Sequence, residues 1–207
     1  MGSRPLMNNT NFQTLQSYEG HVEEYVSGTA DAVSGPSKDW IDAALHGLPA
    51  NSAILELGSA FGRDAAYIGQ QGYTVECSDA AQGFVEHLQR NGFRARLLNV
   101  LTAPVPEGWD LILANAVFLH FTRPEFQAAL AKMARALKPQ GRLAFSLKQG
   151  DGEEWSNAKL NAPRYFCYWQ PEALPPLLRQ AGFSCWDIKA VATSRKHADW
   201  IYVIASI

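Results

Sequence analysis

Apolar residues along this chain follow two alternating rhythms, short runs of strand length and longer stretches with apolar positions three and four apart. Tyr18, Val22 and Tyr25 stand near helical spacing and predict a short helix within 17–30, which Ser34-Gly35-Pro36 breaks. Ile41, Ala44, Leu45 and Leu48 then follow i, i+3, i+4, i+7, predicting a helix capped by Ser37 or Asp39 and ended by Gly47 and Pro49. Residues 53–57 read as a strand, 62–71 as a helix stopped by Gly72, and 74–79 as a second strand. Ala81, Phe84, Val85 and Leu88 form the apolar face of the next helix, which stops at Asn91-Gly92. A third strand over 94–99 and a loop marked by Pro104, Pro106 and Gly108 lead to 109–114, nearly all apolar as in a strand covered on both faces. A helix over 123–137 buries Phe126, Leu130, Met133 and Leu137, and Lys138-Pro139-Gln140-Gly141 turns into a strand over 142–148. This alternation predicts a doubly wound, mostly parallel α/β sheet with right-handed crossovers.

After Lys148 the rhythm breaks. Residues 149–169 are too many for an ordinary connection and are rich in glycine, acidic residues and aromatics, so they are expected to form an ordered, functional insert. A helix over 171–181 follows. The runs 185–192 and 200–205 lie too close together for a helical crossover, so a hairpin is expected, giving a seven-stranded sheet an antiparallel edge. Residues 1–16 are polar and are expected to be a mobile tail, leaving 17–207 as one domain with N-terminal helices over 17–48.

A formal charge of −2 and the absence of any Lys/Arg run argue against a general nucleic-acid surface or an anionic-membrane anchor, and favour a small-molecule partner. No apolar run approaches membrane-spanning length. Cys77, Cys167 and Cys185 are odd in number and lack C-x-x-C spacing, which fits reduced thiols in a cytoplasmic protein. His21, His46, His87 and His197 share no metal-ligand spacing, so no metal is expected.

The chemistry centres on Ile54-Leu55-Glu56-Leu57-Gly58-Ser59-Ala60-Phe61-Gly62-Arg63. A strand that ends in a glycine turn and runs on into a helix places backbone N–H groups at the carboxyl edge of a parallel sheet, where open α/β folds bind ligands. The dinucleotide spacing G-x-G-x-x-G would need glycines at 58, 60 and 63, and only Gly58 complies.

Glu56 stands two places before a run of Gly58, Ala60 and Gly62, with Arg63 after it. In this the stretch resembles the acidic-x-G-x-G-x-G motif of the class I S-adenosylmethionine-dependent methyltransferases. The resemblance implies a Rossmann-like fold, S-adenosylmethionine as cofactor and cofactor contacts from Glu56, Gly58, Ala60 and Gly62. Ala60 stands in place of the middle glycine, which implies a backbone there without a positive φ. Arg63 would hold the methionine carboxylate. Asp79, with Ala80 beside it, would accept bonds from the ribose hydroxyls, and Asn99-Val100 would line the adenine. Asn115 and Ala116, in Ala114-Asn115-Ala116-Val117-Phe118-Leu119-His120, would line the methionine end. Tyr18 and Tyr25 resemble the N-terminal Y-x-x-x-A-x-x-Y pattern whose tyrosines cover the cofactor, with Val22 at the alanine position. Leu137-Lys138-Pro139-Gln140-Gly141 resembles the L-x-P-G-G turn before the fifth strand.

Methyl transfer from a sulfonium is an in-line displacement, so positioning and water exclusion outweigh covalent chemistry. The N-terminal helix and the 149–169 insert are expected to form a lid over Gly58, with the acceptor between them. Lys148, Trp155, Arg164 and Tyr165 are the candidates for acceptor binding, against the plainer reading of a solvated surface with anchoring aromatics. An acceptor that carries a proton would need a base, and His120 or Tyr165 is the nominee. Two other readings share these features. A nicotinamide-dependent oxidoreductase uses the same turn and an acid like Asp79, and a non-catalytic binding protein would account for Ala60 and Asn99.

Overall fold

The computed structural model describes residues 9–192 and 199–207; the first half of the expected tail and His197 lie outside them. Five strands run parallel: β1 (Ile54–Leu57), β2 (Val75–Asp79), β3 (Ala95–Leu97), β4 (Trp109–Ala114) and β5 (Leu137–Lys148). The expected hairpin is β8 (Cys185–Val191) and β9 (Trp200–Ser206), with β9 antiparallel to β5. The seven strands lie in the order β3-β2-β1-β4-β5-β9-β8.

Alternation along each strand divides the core between two faces. Ile54, Leu111, Leu113 and Ala144 point to one side, where α3 (Gly35–Leu45) and α4 (Arg63–Gln70) contribute Trp40, Ile41, Ala44, Leu45 and Ile68. Leu55, Leu57, Ile112, Phe145 and Val203 point to the other side, against Phe126, Leu130 and Met133 of α6 (Arg123–Ala136) and Leu178 of α7 (Leu174–Ala181). Leu88 of α5 (Gln82–Arg90) closes a smaller cluster with Ala65 and Cys77. Strand order reverses between β1 and β4, and a crevice opens where these neighbours diverge at their carboxyl ends.

The N-terminal region departs from the expectation drawn from sequence. Residues assigned to a tail through Gln16 are helical from Asn9, and the single helix expected over 17–30 is two, α1 (Asn9–Glu19) and α2 (Val22–Ser27). The inward stripe of α1 is polar, so apolar periodicity does not reveal it. Asn11, Thr14 and Ser17, spaced by three, are all buried. The Asn11 carbonyl accepts a bond from Asn99 Nδ2 at 3.0 Å, Thr14 Oγ1 accepts the Tyr165 N–H at 3.1 Å, and the Ser17 hydroxyl donates to the Pro163 carbonyl at 2.6 Å. Glu19 accepts the Gly83 N–H at 3.0 Å, tying the end of α1 to α5.

Three boundaries also differ. Helix α3 starts at Gly35 with Ser34 as its cap and Pro36 in the first turn, where a missing N–H costs nothing, so Ser37 and Asp39 lie inside the helix. Strand β5 takes in the expected turn from Leu137, with a register shift against β4 and Gln140 at positive φ. Pro171–Ala173 forms a 3₁₀ turn that leads into α7.

The 149–169 insert is ordered. Its β6 (Glu153–Ser156) and β7 (Arg164–Cys167) form a separate antiparallel pair, which lies against α1 through the Thr14 and Ser17 bonds.

Candidate active site

The turn after β1 is built by close approach. Gly58 has φ +63°, and a Cβ there would stand 2.5 Å from Cγ2 of Val117, so only glycine lets the loop after β4 come this near. Gly62, at φ +88°, starts α4 beneath the turn, and its absent Cβ leaves room for Phe93 and Leu88. It therefore shapes the turn from below and does not line the cavity, contrary to the contact expected of it.

Ala60 overturns the condition attached to it. Its φ is +49°, the left-handed conformation that costs a residue with a Cβ about 1–2 kcal/mol. The turn is held in place by hydrogen bonds to β2. The Ala60 N–H donates to Asp79 Oδ2 at 3.0 Å, and the Ser59 N–H donates to the Ser78 carbonyl at 2.9 Å. The Ser78 N–H donates to Ser59 Oγ at 3.2 Å, while the Ser78 hydroxyl donates to the Glu56 carbonyl at 2.8 Å.

Asp79 is buried, and its second oxygen accepts the Ala81 N–H at 2.9 Å. Desolvation raises its pKa to about 6, against the lowering effect of those backbone donors. It stands at a slot of about 100 Å³ lined by Ala80, Phe84, Leu98, Asn99 and Val100, roofed by Asn11, Thr14 and Leu15 of α1. Within the slot, Asn99 already donates to Asn11 and accepts the Leu101 N–H at 3.0 Å. Tyr18 and Tyr25 pack edge to face, 5.6 Å between centroids, and both lean on Phe84.

The slot opens into a larger cavity of about 560 Å³ that shares Tyr18, Tyr25, Gly58, Ala60, Asn115 and Ala116 with it. One wall is a directed hydrogen-bond network. Arg63 Nε and Asn115 Nδ2 each donate to Asp64 at 2.7 Å, the Ser146 hydroxyl donates to Asn115 Oδ1 at 2.7 Å, and the Ala116 N–H donates to Ser146 Oγ at 2.8 Å. Ala116 holds a positive φ of +58° on this bond. Glu56 lines the same cavity and is buried; desolvation, then the Asp64 charge, pushes its carboxyl up to about 8. The facing wall carries Lys148, Ser156, Lys159, Arg164 and Phe166.

His120 is buried where the two spaces meet. Its Nδ1 lies 2.7 Å from the Tyr165 carbonyl, which can only accept, so the proton sits on Nδ1 and Nε2 accepts the Tyr18 hydroxyl at 2.9 Å. Arg164 Nη1 donates to that hydroxyl at 3.2 Å, completing a one-way chain from Arg164 through Tyr18 and His120 to the Tyr165 carbonyl. Desolvation lowers the His120 pKa to about 3, with the nearby Arg164 and Lys148 charges adding to the effect.

Two expected acceptor-binding residues lie elsewhere. Side chains alternate along β7, so Arg164 and Phe166 face the cavity, whereas Tyr165 turns its ring away to pack edge to face on Trp155 at 5.7 Å. Neither Tyr165 nor Trp155 lines either space, and Tyr165 serves the site through its backbone. Among the residues that sequence reading missed are Asp64, Phe84, Lys159, Phe166, Trp200, Tyr202 and the roof of α1. Of these, Asp64 alone had a signal, its place next to Arg63. Among the described residues no group of three or more His, Cys, Asp or Glu side chains is arranged to hold a metal, and no helix is long and apolar enough to cross a membrane.

Residues 54–141, from β1 into β5, match the model of a methyltransferase domain. Over this stretch, which is less than half of the chain, the protein is similar to methyltransferase domains. The matched stretch contains the glycine turn from Gly58 to Arg63. No curated protein matches the chain in sequence. The fold is similar to that of the 1,6-didemethyltoxoflavin-N1-methyltransferase of Burkholderia thailandensis, solved with 1,6-didemethyltoxoflavin and S-adenosylhomocysteine. The two chains are 23% identical with a TM-score of 0.65 over 99% of this chain and 92% of that one. It is also similar to a possible histamine N-methyltransferase from Thermotoga maritima, at 15% identity and TM-score 0.65, covering 93% of this chain and 99% of that one. Phosphoethanolamine N-methyltransferase 2 of Haemonchus contortus gives a TM-score of 0.71 at 11% identity, covering 98% of this chain and 60% of that one.

The strain at Ala60 yields a stability prediction. Ala60→Gly removes the left-handed Cβ while adding freedom to the unfolded chain, so a net gain of about 0.5–1 kcal/mol is expected in urea unfolding. A loss of stability would contradict the left-handed assignment.

Proposed function

We propose that this protein is an S-adenosylmethionine-dependent methyltransferase that acts on a small-molecule acceptor held in the larger cavity, with the cofactor spanning the slot and the turn after β1. The observation that carries this reading is the joining of the two spaces beneath Tyr18 and Tyr25, so that one ligand end meets the other over Gly58. The chemistry of the slot fits the cofactor. A buried carboxylate at its mouth suits two ribose hydroxyls, and Leu98, Val100 and Phe84 offer apolar faces to a purine. When bound, S-adenosylmethionine supplies an electrophilic methyl group on a sulfonium.

The residues of the chain do the positioning. Asp79 orients the ribose, with Ala80, Asn99 and Val100 around the base, and Asn115 and Ala116 line the methionine end. Arg63, held by Asp64, contributes a fixed charge there. Tyr18 and Tyr25 cover the junction from above, and the α1 roof with the β6–β7 pair excludes water. His120 fixes the Tyr18 hydroxyl by accepting its proton in a hydrogen bond, and at neutral pH it stays uncharged. A proton leaving the acceptor would meet the Tyr18 oxygen before it met His120.

Two measurements test this reading. The Asp79 carboxylate accepts ribose hydroxyl bonds in its ionised form, and its raised pKa of about 6 puts that ionisation within easy reach. Calorimetric affinity for S-adenosylhomocysteine is therefore expected to be full above this value and to fall by about tenfold per pH unit below it. Asp79→Asn should bind at least about tenfold more weakly, with a flattened pH dependence. A wild-type affinity that stays constant from acid to neutral pH would remove Asp79 from the ribose. For the acceptor, incubation of the protein and methyl-labelled cofactor with a whole-cell extract is expected to put label in the small-molecule fraction. Label confined to precipitated protein or nucleic acid would overturn the assignment.

A further inference from the structure

The facing wall of the larger cavity holds three cations that enter no ion pair among the described residues: Arg164, Lys148 and Lys159. Arg164 is 5% exposed; its Nη1 is spent on Tyr18, but its Nε is buried without a partner. Lys148, half-buried at the end of β5, sets its ammonium 4.4 Å from the centroid of the Phe166 ring. Lys159 reaches in from the rim, where Nζ donates to Thr29 Oγ1 at 2.6 Å and lies 3.8 Å from the centroid of the Tyr25 ring.

No carboxylate in the cavity is free to neutralise them. Asp64 is taken by Arg63 and Asn115, and Glu56 is buried with its carboxyl pushed up to about 8. Glu154, whose charge reaches Lys148, is bonded by the Tyr168 hydroxyl outside the cavity. The strain shows in the lysines themselves. Burial and the Arg164 charge lower both ammonium groups, Lys159 to about 8. Contacts with aromatic rings soften the loss of water around these charges without cancelling them. A bound cofactor would not cancel them either, because its sulfonium and ammonium outweigh its single carboxylate.

We propose that the acceptor carries an oxyanion group, phosphate-like or carboxylate, gripped by Arg164, Lys148 and Lys159, while its nucleophilic end points toward Tyr18 and Gly58. A guanidinium with an unused N–H beside two ammonium groups is the donor set that oxyanions fit. Phe166, Trp200 and Tyr202 line the same cavity and would pack the uncharged part of the molecule. This inference rests on the reading of that cavity as the acceptor site.

The test is calorimetry on the full chain saturated with S-adenosylhomocysteine, titrated with inorganic phosphate and separately with succinate at constant ionic strength in chloride. At least one anion is expected to bind, and the tighter of the two identifies the kind of oxyanion. Lys148→Gln and Lys159→Gln should each weaken it by about tenfold, with S-adenosylhomocysteine affinity unchanged within about twofold. Arg164→Gln should abolish it, and the two lysine variants carry the test if that buried substitution fails to fold. Binding of S-adenosylhomocysteine without either anion, or anion affinity that ignores both lysines, overturns this proposal alone. Lysine variants that lose S-adenosylhomocysteine instead would assign the cations to the cofactor and also overturn it. Failure of the wild type to bind S-adenosylhomocysteine would bring down the methyl-transfer reading together with this one.

Discussion

The Asp79 carboxyl group holds the site together before any ligand arrives. One oxygen takes the N–H of Ala60, in the turn after β1, and the other takes that of Ala81, at the start of α5. Two adjacent strand ends are thus fixed by one side chain, and the crossed Ser59 and Ser78 bonds keep the same strands in step. Without those bonds nothing would compensate the left-handed Ala60, and the approach of Gly58 to Val117 would loosen. Strain in the turn is tolerated because several bonds determine the same geometry.

The same carboxyl exposes a conflict between stability and use. Burial raises Asp79 to about 6 and Glu56 to about 8, so the folded chain retains protons that the unfolded chain releases in the ordinary carboxylate range. Their contribution to stability is present below that range and lost as pH rises through those values. Yet a ribose hydroxyl is best accepted by an ionised Asp79, on the far side of its transition. A ligand that binds the ionised Asp79 as proposed would meet this part of the fold where it is less favourable, and the bonds it donates to the carboxylate would recover part of the cost.

Most of the sheet was legible because β1, β4 and β5 are apolar on both faces and the glycine turn follows the first of them. Asp79, Asn99 and Asn115 line the two spaces because they stand at or just past strand ends, which the same alternation sets. Helix α1 was not legible, since its inward face is Asn11, Thr14 and Ser17 and only tertiary hydrogen bonds make that face an interior one. In the insert, composition could mark a functional stretch but could not set the phase of β7. A shift of one residue exchanges Tyr165 for Arg164 and Phe166, so of two neighbours nominated together the guanidinium lies inside the cavity and the phenol outside it. Lys159 lies beyond any such pattern, because the loop between β6 and β7 alone brings it to Tyr25.

Charge and direction in the Arg164–Tyr18–His120 chain show why these residues belong together. Hydrogen bonding by the Tyr165 carbonyl fixes the His120 tautomer, which fixes the Tyr18 proton toward Nε2 and leaves the phenol oxygen to accept from Arg164. Each group is therefore committed in one sense only. With its pKa lowered to about 3, His120 is a poor proton sink in the folded chain, and the cause is burial reinforced by the cations across the cavity. An anion bound beside Arg164 would weaken that second contribution and make His120 more basic, since opposite charge nearby favours the imidazolium. Burial, the larger cause, would remain, so His120 would still hold the Tyr18 hydroxyl as an uncharged acceptor while the cationic wall met the anion.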